Sequence, residues 1–74
     1  MPTKTPFTMT CGGEIKRART AQHLTKGELA YLAGTSVTVI TRVESGHNTT
    51  IVTFCKLCHA LDLHPGAILQ KAMQ

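Results

Sequence analysis

The chain of 74 residues has no tryptophan, one tyrosine and two phenylalanines, so a core built from it must be mainly aliphatic. Acidic residues are also scarce, with four against eight lysines and arginines. Four carboxylates provide few candidates for the general acid and general base of a hydrolytic enzyme, and two of them, Glu28 and Glu44, fit structural roles described below. The sequence also lacks a nucleophile elbow and the glycine pattern of a phosphate-binding loop. We therefore do not expect an enzyme.

Long hydrophobic runs are absent as well. No segment approaches the roughly 20 apolar residues that a helix needs to cross a bilayer. The first ten residues, MPTKTPFTMT, lack the apolar stretch of a signal peptide. We therefore expect a cytoplasmic chain that does not associate with membranes, in which the three cysteines remain reduced thiols.

Positive charge is what the sequence has in excess, with a net charge of +4. Six of the eight basic residues precede Gly46 in the chain. They are Lys4, Lys16, Arg17, Arg19, Lys26 and Arg42. A basic half beside a nearly neutral half is typical of a small domain that binds nucleic acid with one face and a protein partner with the other.

A stretch in the middle of the chain, TKGELAYLAGTSVTVITRVESG, predicts two short helices joined by a sharp corner. Thr25 and Glu28 have the spacing of a capping box, which starts the first helix. Gly34 suits the left-handed residue that ends this helix, and Ser36 can cap the second one. Five β-branched residues at positions 37–41 would also suit a strand. The caps and the spacing of the apolar residues nevertheless favour a helix.

This stretch resembles the helix-turn-helix of the phage-repressor and Cro-type family of transcription regulators, and the resemblance extends from about residue 15 to residue 69. It rests on Leu29, Ala30, Gly34, Ser36, Ile40 and the Val43-Glu44-x-Gly46 exit. It implies an all-α, lambda-repressor-like fold of five helices that binds duplex DNA as a homodimer on a palindromic operator and regulates transcription. We expect no cofactor and no metal. Small phage repressors, restriction–modification controllers and antitoxins all have this form, and the sequence does not choose among them.

The second helix of the pair, at residues 36–45, should then lie in the major groove of DNA. The residues expected to read bases are Val37, Thr38, Thr41 and Arg42. The methyl groups of Val37 and Thr38 suit the methyl group of thymine, and the guanidinium of Arg42 suits guanine. A phosphate clamp, or pairing with a partner within its own helix, is the alternative role for Arg42.

Phosphate contacts are expected near helix N-termini, where free N–H groups and the helix dipole attract anions. The candidates are Thr25, Lys26, Ser36, His47, Asn48, Lys16 and Arg17. Lys26 stands where the resembled family commonly has glutamine, and it would serve as a longer point charge. For the loop at residues 47–49, plain exposure to solvent is an equally good interpretation.

In the resembled family, an arginine of the first helix pairs with the glutamate that follows the recognition helix. The corresponding residues here are Arg19 and Glu44, and this pair would tie the first helix to the third. The alternative is a solvated arginine whose surface contact contributes only about 0–1 kcal/mol.

Three further helices are predicted around the central pair. Residues 1–9 contain two prolines and are expected to be a flexible arm, so that the DNA-binding domain covers residues 10–74. Thr10 should cap the first helix, Thr50 should cap a fourth helix, and Pro65 should open a fifth. The core side of the fourth helix is expected to consist of Ile51, Phe54, Leu57, Cys58 and Leu61.

Dimerisation is expected to use the C-terminal part of the chain, because its apolar residues exceed what a terminal helix needs to dock on its own domain. The candidates for the interface are Leu63, Ile68, Leu69 and Met73. The alternative is that all four side chains pack within one domain.

The segment Cys55-Lys56-Leu57-Cys58-His59 matches the C-x-x-C-H pattern of covalent haem attachment. The missing export signal speaks against haem, and the same residues fit the fourth helix, where free cysteines pack as small hydrophobic residues. One alternative function is a regulator that responds to thiol oxidation or metal through Cys55 and Cys58. Another is a protein-interaction module that does not bind DNA.

Overall fold

The computed structural model describes residues 4–74, which fold into five helices. They are α1 (Pro6–Ala21), α2 (Lys26–Ala33), α3 (Val37–Glu44), α4 (Ile51–Ala60) and α5 (Pro65–Ala72). Within residues 4–74, the only extended pairing is an isolated bridge between Lys4 and His47. The all-α fold of five helices is therefore confirmed. Even α1, with 16 residues, is too short to cross a membrane, and no other helix of the described part is a candidate span.

Contacts between residues close together in the sequence form the corner between α2 and α3. The Glu28 N–H donates to Thr25 Oγ1 at 3.0 Å, and the Thr25 N–H donates to a Glu28 carboxylate oxygen at 2.8 Å. Gly34 ends α2 in the left-handed conformation, with φ at 68°. The hydroxyl oxygen of Ser36 then accepts from the Val39 N–H at 3.2 Å and caps α3. The predicted capping box, glycine corner and serine cap are all confirmed.

The buried apolar residues come from all five helices and form one core. They are Cys11, Ile15, Leu29, Ala30, Ala33, Ile40, Val43, Phe54, Leu57, Cys58, Leu61 and Ile68. This core explains why the β-branched α3 is helical. A β-branched residue loses under about 0.7 kcal/mol in a helix relative to alanine, whereas burying Ile40 or Val43 contributes about 1.5–3 kcal/mol. Packing therefore outweighs local propensity.

Helix α1 begins at Pro6 and not after Thr10, as the sequence analysis expected. The Thr8 N–H donates to Thr5 Oγ1 at 3.1 Å, and the Thr5 N–H donates to Thr8 Oγ1 at 2.8 Å. Pro6 suits the first helical position, because its missing N–H would have had no partner there. Residues 5–9 of the expected arm therefore belong to the cap and first turn of α1. Lys4 forms the bridge to His47, and residues 1–3 of the expected arm lie outside the described part.

The N-terminal half of α1 lies directly against the end of α3. A Cβ atom on Gly12 would stand 2.0 Å from the Val43 carbonyl oxygen, so only glycine permits this approach. Gly46 has a positive φ of 90°, and a Cβ atom there would stand 2.7 Å from Cγ of Met9. The C-terminal end of α3 and the residues that follow it thus pack closely against α1.

The predicted core side of α4 needs one correction. Ile51 is 59% exposed, whereas Phe54, Leu57, Cys58 and Leu61 are buried as expected. Ile51 is the first residue of α4, and the contact with the core begins one turn later at Phe54.

Candidate nucleic-acid interface

Helix α3 has one buried face and one open face. Ile40 and Val43 point into the core, while Val37, in the first turn of the helix, is 47% exposed. Thr38, Thr41 and Arg42 are exposed with it. Positions that are four residues apart lie above one another on a helix. The structure therefore brings the four predicted base-reading residues together on one outward surface.

This surface offers three kinds of contact. The methyl groups of Val37 and Thr38 provide apolar contact, and the threonine hydroxyls can donate or accept a hydrogen bond. The guanidinium of Arg42 makes no ion pair and no side-chain hydrogen bond within residues 4–74. It is therefore available to a planar acceptor pair such as guanine O6 and N7.

Lys26 connects the start of α2 to this surface. Its ammonium group donates to Thr41 Oγ1 at 3.3 Å. An ammonium group has donors only, so the threonine oxygen must accept, and the threonine hydrogen remains free for another acceptor. The bond thus orients the Thr41 hydroxyl as a donor toward an acceptor that contacts the open face of α3. Sequence spacing gave no signal for this contact between two elements.

The N-termini of α2 and α3 lie on either side of the corner at Gly34. Thr25 and Ser36 cap these two ends through their oxygen atoms. The Ser36 hydroxyl hydrogen remains available to donate to an anion beside the helix dipole, whereas the Thr25 backbone and hydroxyl bond the Glu28 carboxylate and lower its pKa. Ser36 and Lys26 form a set of donors around the base of α3.

The remaining phosphate candidates have different surroundings. Asn48 and Lys16 are exposed, as contact with a DNA phosphate group requires. His47 is partly buried, and its Nδ1 atom is buried without a hydrogen-bond partner among residues 4–74. The Arg17 guanidinium lies 3.6 Å from the carboxylate of Glu14, the residue that connects α1 to α5. His47 and Arg17 thus have structural surroundings that the sequence did not indicate.

Glu14 connects α1 to α5. Its carboxylate accepts from the Lys71 ammonium at 2.6 Å. This hydrogen bond, together with the charge of Arg17, lowers the pKa of the Glu14 carboxyl despite some burial. The Lys71 side chain is 56% exposed, so the contribution of this pair to stability is small.

Arg19 and Glu44 form the ion pair that the resemblance implies. The Arg19 Nε–H donates to Glu44 Oε2 at 2.6 Å, and a terminal N–H donates to Oε1 at 3.1 Å. The other terminal nitrogen donates to the Leu24 carbonyl oxygen at 2.8 Å. The hydrogen bonds to Glu44 raise the pKa of the Arg19 guanidinium. With the Glu44 side chain only 4% exposed, this clamp ties α1, the α1–α2 loop and the end of α3 together.

The two cysteines of α4 differ in access. Cys58 is fully buried, and Cys55 is partly exposed. Burial raises the pKa of the Cys58 thiol to about 11, with smaller contributions from Cys55 and Cys11. A buried thiol with a raised pKa is a poor nucleophile and a poor metal ligand. Residues 4–74 also contain no group of three or more metal-ligating side chains.

The candidate dimer residues are not equally available. Ile68 is buried in the core of its own domain, and Leu63 and Leu69 are partly buried against that core. Met73 is 76% exposed. An apolar surface that the sequence analysis missed lies at the start of α4, where Ile51 and Val52 are 59% and 60% exposed. The apolar stripe of α4 gave no sign of it, because Val52 lies outside that stripe.

The fold and the open face of α3 together define a helix-turn-helix protein that binds DNA. The sequence model of the helix-turn-helix family matches residues 15–68, and the chain belongs to this family. It is therefore a DNA-binding transcriptional regulator.

The solved structures that are similar to the chain include two restriction-modification controller proteins. The restriction-modification controller protein C.AhdI from Aeromonas hydrophila is 32% identical, with a TM-score of 0.76, and the match covers 82% of this chain and 94% of that one. A mutant of the restriction-modification controller protein C.Esp1396I is 20% identical, with a TM-score of 0.77, and the match covers 90% and 88% of the two chains. The second likeness concerns the fold alone. No curated protein sequence matches the chain.

Proposed function

We propose that the chain acts as a homodimer on a palindromic operator and controls transcription in the manner of a restriction–modification controller. The open face of α3 carries this proposal, because four side chains suited to base edges lie together on a basic protein. The likeness to C.AhdI, at 32% identity over 82% of the chain, favours the controller type over a phage repressor or an antitoxin.

The base-reading roles follow from the chemistry of the face. Val37 and Thr38 lie at the N-terminal end of α3, which enters deepest in this type of complex, and they contact a thymine methyl group. Thr41, with its oxygen occupied by Lys26, donates to a purine N7 or a similar acceptor. Arg42 binds guanine through O6 and N7 and provides the strongest discrimination.

Phosphate binding is assigned to groups around the base of α3. Thr25, Ser36 and Lys26 lie at two helix N-termini, whose N–H groups donate, and Asn48 provides an exposed amide beyond the end of α3. Lys16 and Arg17 add positive charge, Arg17 from a position beside the Glu14 carboxylate. These groups supply affinity and orientation, whereas the open face of α3 supplies specificity.

A dimer is needed because one module reads only a few base pairs. Two copies bind half-sites about 10–10.5 base pairs apart, which multiplies affinity and specificity. We place the interface at Ile51 and Val52 of α4, joined by Leu69 and Met73 of α5. Ile51 and Leu69 border the same cavity, so these helices adjoin there. Leu63 packs against the core of its own domain, and Ile68 is buried within that core.

The test combines selection and sedimentation. Selection of bound fragments from a random duplex library should enrich a palindrome, and analytical ultracentrifugation should give two protein chains per fragment. Val52→Asp should weaken dimerisation, whereas Val52→Ala should retain most of it. A single asymmetric site bound by one chain would contradict the dimer, and no enriched sequence would contradict specific recognition.

A further inference from the structure

A surface depression along α4 brings a thiol and an imidazole together. The residues that border it are Ile51, Val52, Cys55, Lys56 and His59. Residues four positions apart on a helix lie above one another, with about 5–6 Å between their Cβ atoms. Cys55 is partly exposed, and His59 is exposed. The Cys55 thiol and the His59 imidazole can therefore reach the same ion in front of α4.

Thiolate sulfur and imidazole nitrogen are the donors that Zn²⁺ prefers in proteins, in ligand sets such as Cys₂His₂. Two ligands four residues apart bind zinc from one helix face, as the histidines of H-E-x-x-H metalloproteases do. The C-x-x-C spacing points instead to Cys58 as the second ligand, but Cys58 is fully buried and its pKa is raised to about 11. The Lys56 ammonium repels a cation, but this residue is exposed, so water and salt screen its charge.

A single chain does not complete such a site. A structural zinc ion takes four ligands, whereas residues 4–74 contain no group of three or more metal-ligating side chains. The depression also includes Ile51 and Val52, the exposed apolar residues assigned above to the dimer interface. A second copy that meets this face through a two-fold axis contributes the same pair of ligands. Two thiolates and two imidazoles then surround a point on the axis.

We propose that Cys55 and His59 of two copies together bind one Zn²⁺ ion, which lies on the two-fold axis of the dimer. This site rests on the dimer of the proposed function and gives that dimer a metal ligand. Each Cys55 thiol loses its proton to solvent, so binding releases two protons, and two thiolates balance the charge of the ion. The complete ligand set exists only in the dimer, so the ion strengthens dimerisation by mass action.

The ligands are tested by titrating the reduced, metal-free full chain with Co²⁺, a spectroscopic substitute for Zn²⁺. The visible absorption of four-coordinate Co²⁺ should saturate at one ion per two chains. Cys55→Ser should abolish this signal, and His59→Asn should weaken binding by at least about tenfold. Cys11→Ala and His64→Asn are the matched controls and should retain it, because Cys11 is buried in α1 and His64 lies outside the depression. Saturation at one ion per chain, or an unchanged signal in Cys55→Ser, would overturn the proposal.

Sedimentation separates the zinc site from the DNA-bound dimer. In the absence of DNA, Zn²⁺ at ten times its Kd should lower the Kd of the dimer about tenfold, and Cys55→Ser should remove this effect. The metal-free chain is also sedimented with the selected palindrome. Two chains per fragment, together with a dimer Kd that Zn²⁺ does not change, would overturn the zinc site alone. One chain per fragment, with and without Zn²⁺, would overturn the DNA-bound dimer of the proposed function.

Discussion

The two ends of α3 are held by different kinds of contact. At its start, Ser36 caps the helix and Gly34 makes the turn, and both lie within a few residues of the helix itself. At its end, Arg19 binds Glu44 across 25 residues of sequence, and Gly12 approaches the Val43 backbone. The start is therefore open to a duplex, whereas the end is enclosed by α1.

This difference separates binding from stability along one helix of eight residues. Contacts at the end of α3 come from another helix, so losing them disturbs the packing of both. Contacts at the start are local and leave the outward side chains free. Changes at the end should mainly lower the free energy of unfolding, and changes on the open face should mainly alter DNA binding.

The largest expected loss follows from breaking the ion pair at the enclosed end. Arg19→Met leaves the Glu44 carboxylate, whose side chain is 4% exposed, without a counter-ion. Breaking a buried pair in this way lowers the free energy of unfolding by about 3–5 kcal/mol. Urea unfolding followed by circular dichroism measures the change. The control is Arg17→Met, because Arg17 is largely exposed and its loss should change stability by about 0.5 kcal/mol at most.

The double variant Arg19→Met/Glu44→Leu sharpens this result. Replacing both partners of a buried ion pair by apolar residues is often neutral, since no charge remains buried. The double variant should therefore recover most of the stability that Arg19→Met loses. If Arg19→Met costs less than about 1 kcal/mol, the pair behaves as a surface contact, and the end of α3 is not the strongly held one.

The next effect concerns the close approach of α1 to the end of α3. Gly12→Ala would bring a Cβ atom to 2.0 Å from the Val43 carbonyl oxygen, so the helices must move apart. Overpacking of this kind lowers the free energy of unfolding by about 1–3 kcal/mol, and a clash with backbone belongs at the upper end. The measurement is again urea unfolding.

The neighbouring glycine provides a matched control for Gly12→Ala. A Cβ atom on Gly13 meets nothing within 4 Å. Gly13→Ala should therefore raise the free energy of unfolding by about 0.5–1 kcal/mol through helix propensity alone. Equal effects of the two substitutions would mean that α1 and α3 do not touch at Gly12.

The same contrast between local and distant contacts explains how much the sequence could predict. The caps and corner of α2 and α3 depend on residues a few positions apart, and all of them were predicted. The exposure of Ile51, by contrast, depends on the angle at which α4 meets the core, which residue spacing does not encode. The start of α1 was missed for another reason, because Thr5 and Thr8 form a capping box without the glutamate that usually marks one.

The candidate site divides in the same way. The open face of α3 followed from helical periodicity once the resemblance had fixed which side is buried. The bond from Lys26 to Thr41 and the inward position of His47 could not be predicted, because each depends on where separate elements meet. The DNA roles of these residues stay predictions, which the following two experiments address.

On the open face, Arg42→Ala should change specificity without a large change in stability. Losing a bidentate contact to guanine removes about 1–3 kcal/mol of discrimination at one position of each half-site. Binding of single-base operator variants, measured by fluorescence anisotropy at fixed salt, reports this loss. Lys26→Met is the comparison, since loss of a phosphate contact should weaken all operators alike and reduce the salt slope by about one. If Lys26→Met relaxes one position instead, the orientation of Thr41 is its main role.

The smallest effect is expected at the start of α3, where the contacts are local. Ser36→Ala removes the side chain that accepts from the Val39 N–H, and loss of such a cap lowers the free energy of unfolding by about 1 kcal/mol. Ser36→Asp retains an acceptor and favours the helix dipole, so it should preserve stability. It also places a negative charge beside the proposed phosphate site, so DNA affinity should fall although the fold is intact. A loss of stability from Ser36→Ala as large as that from Arg19→Met would remove the distinction between the two ends, because the start of α3 would then depend on more than its own neighbours.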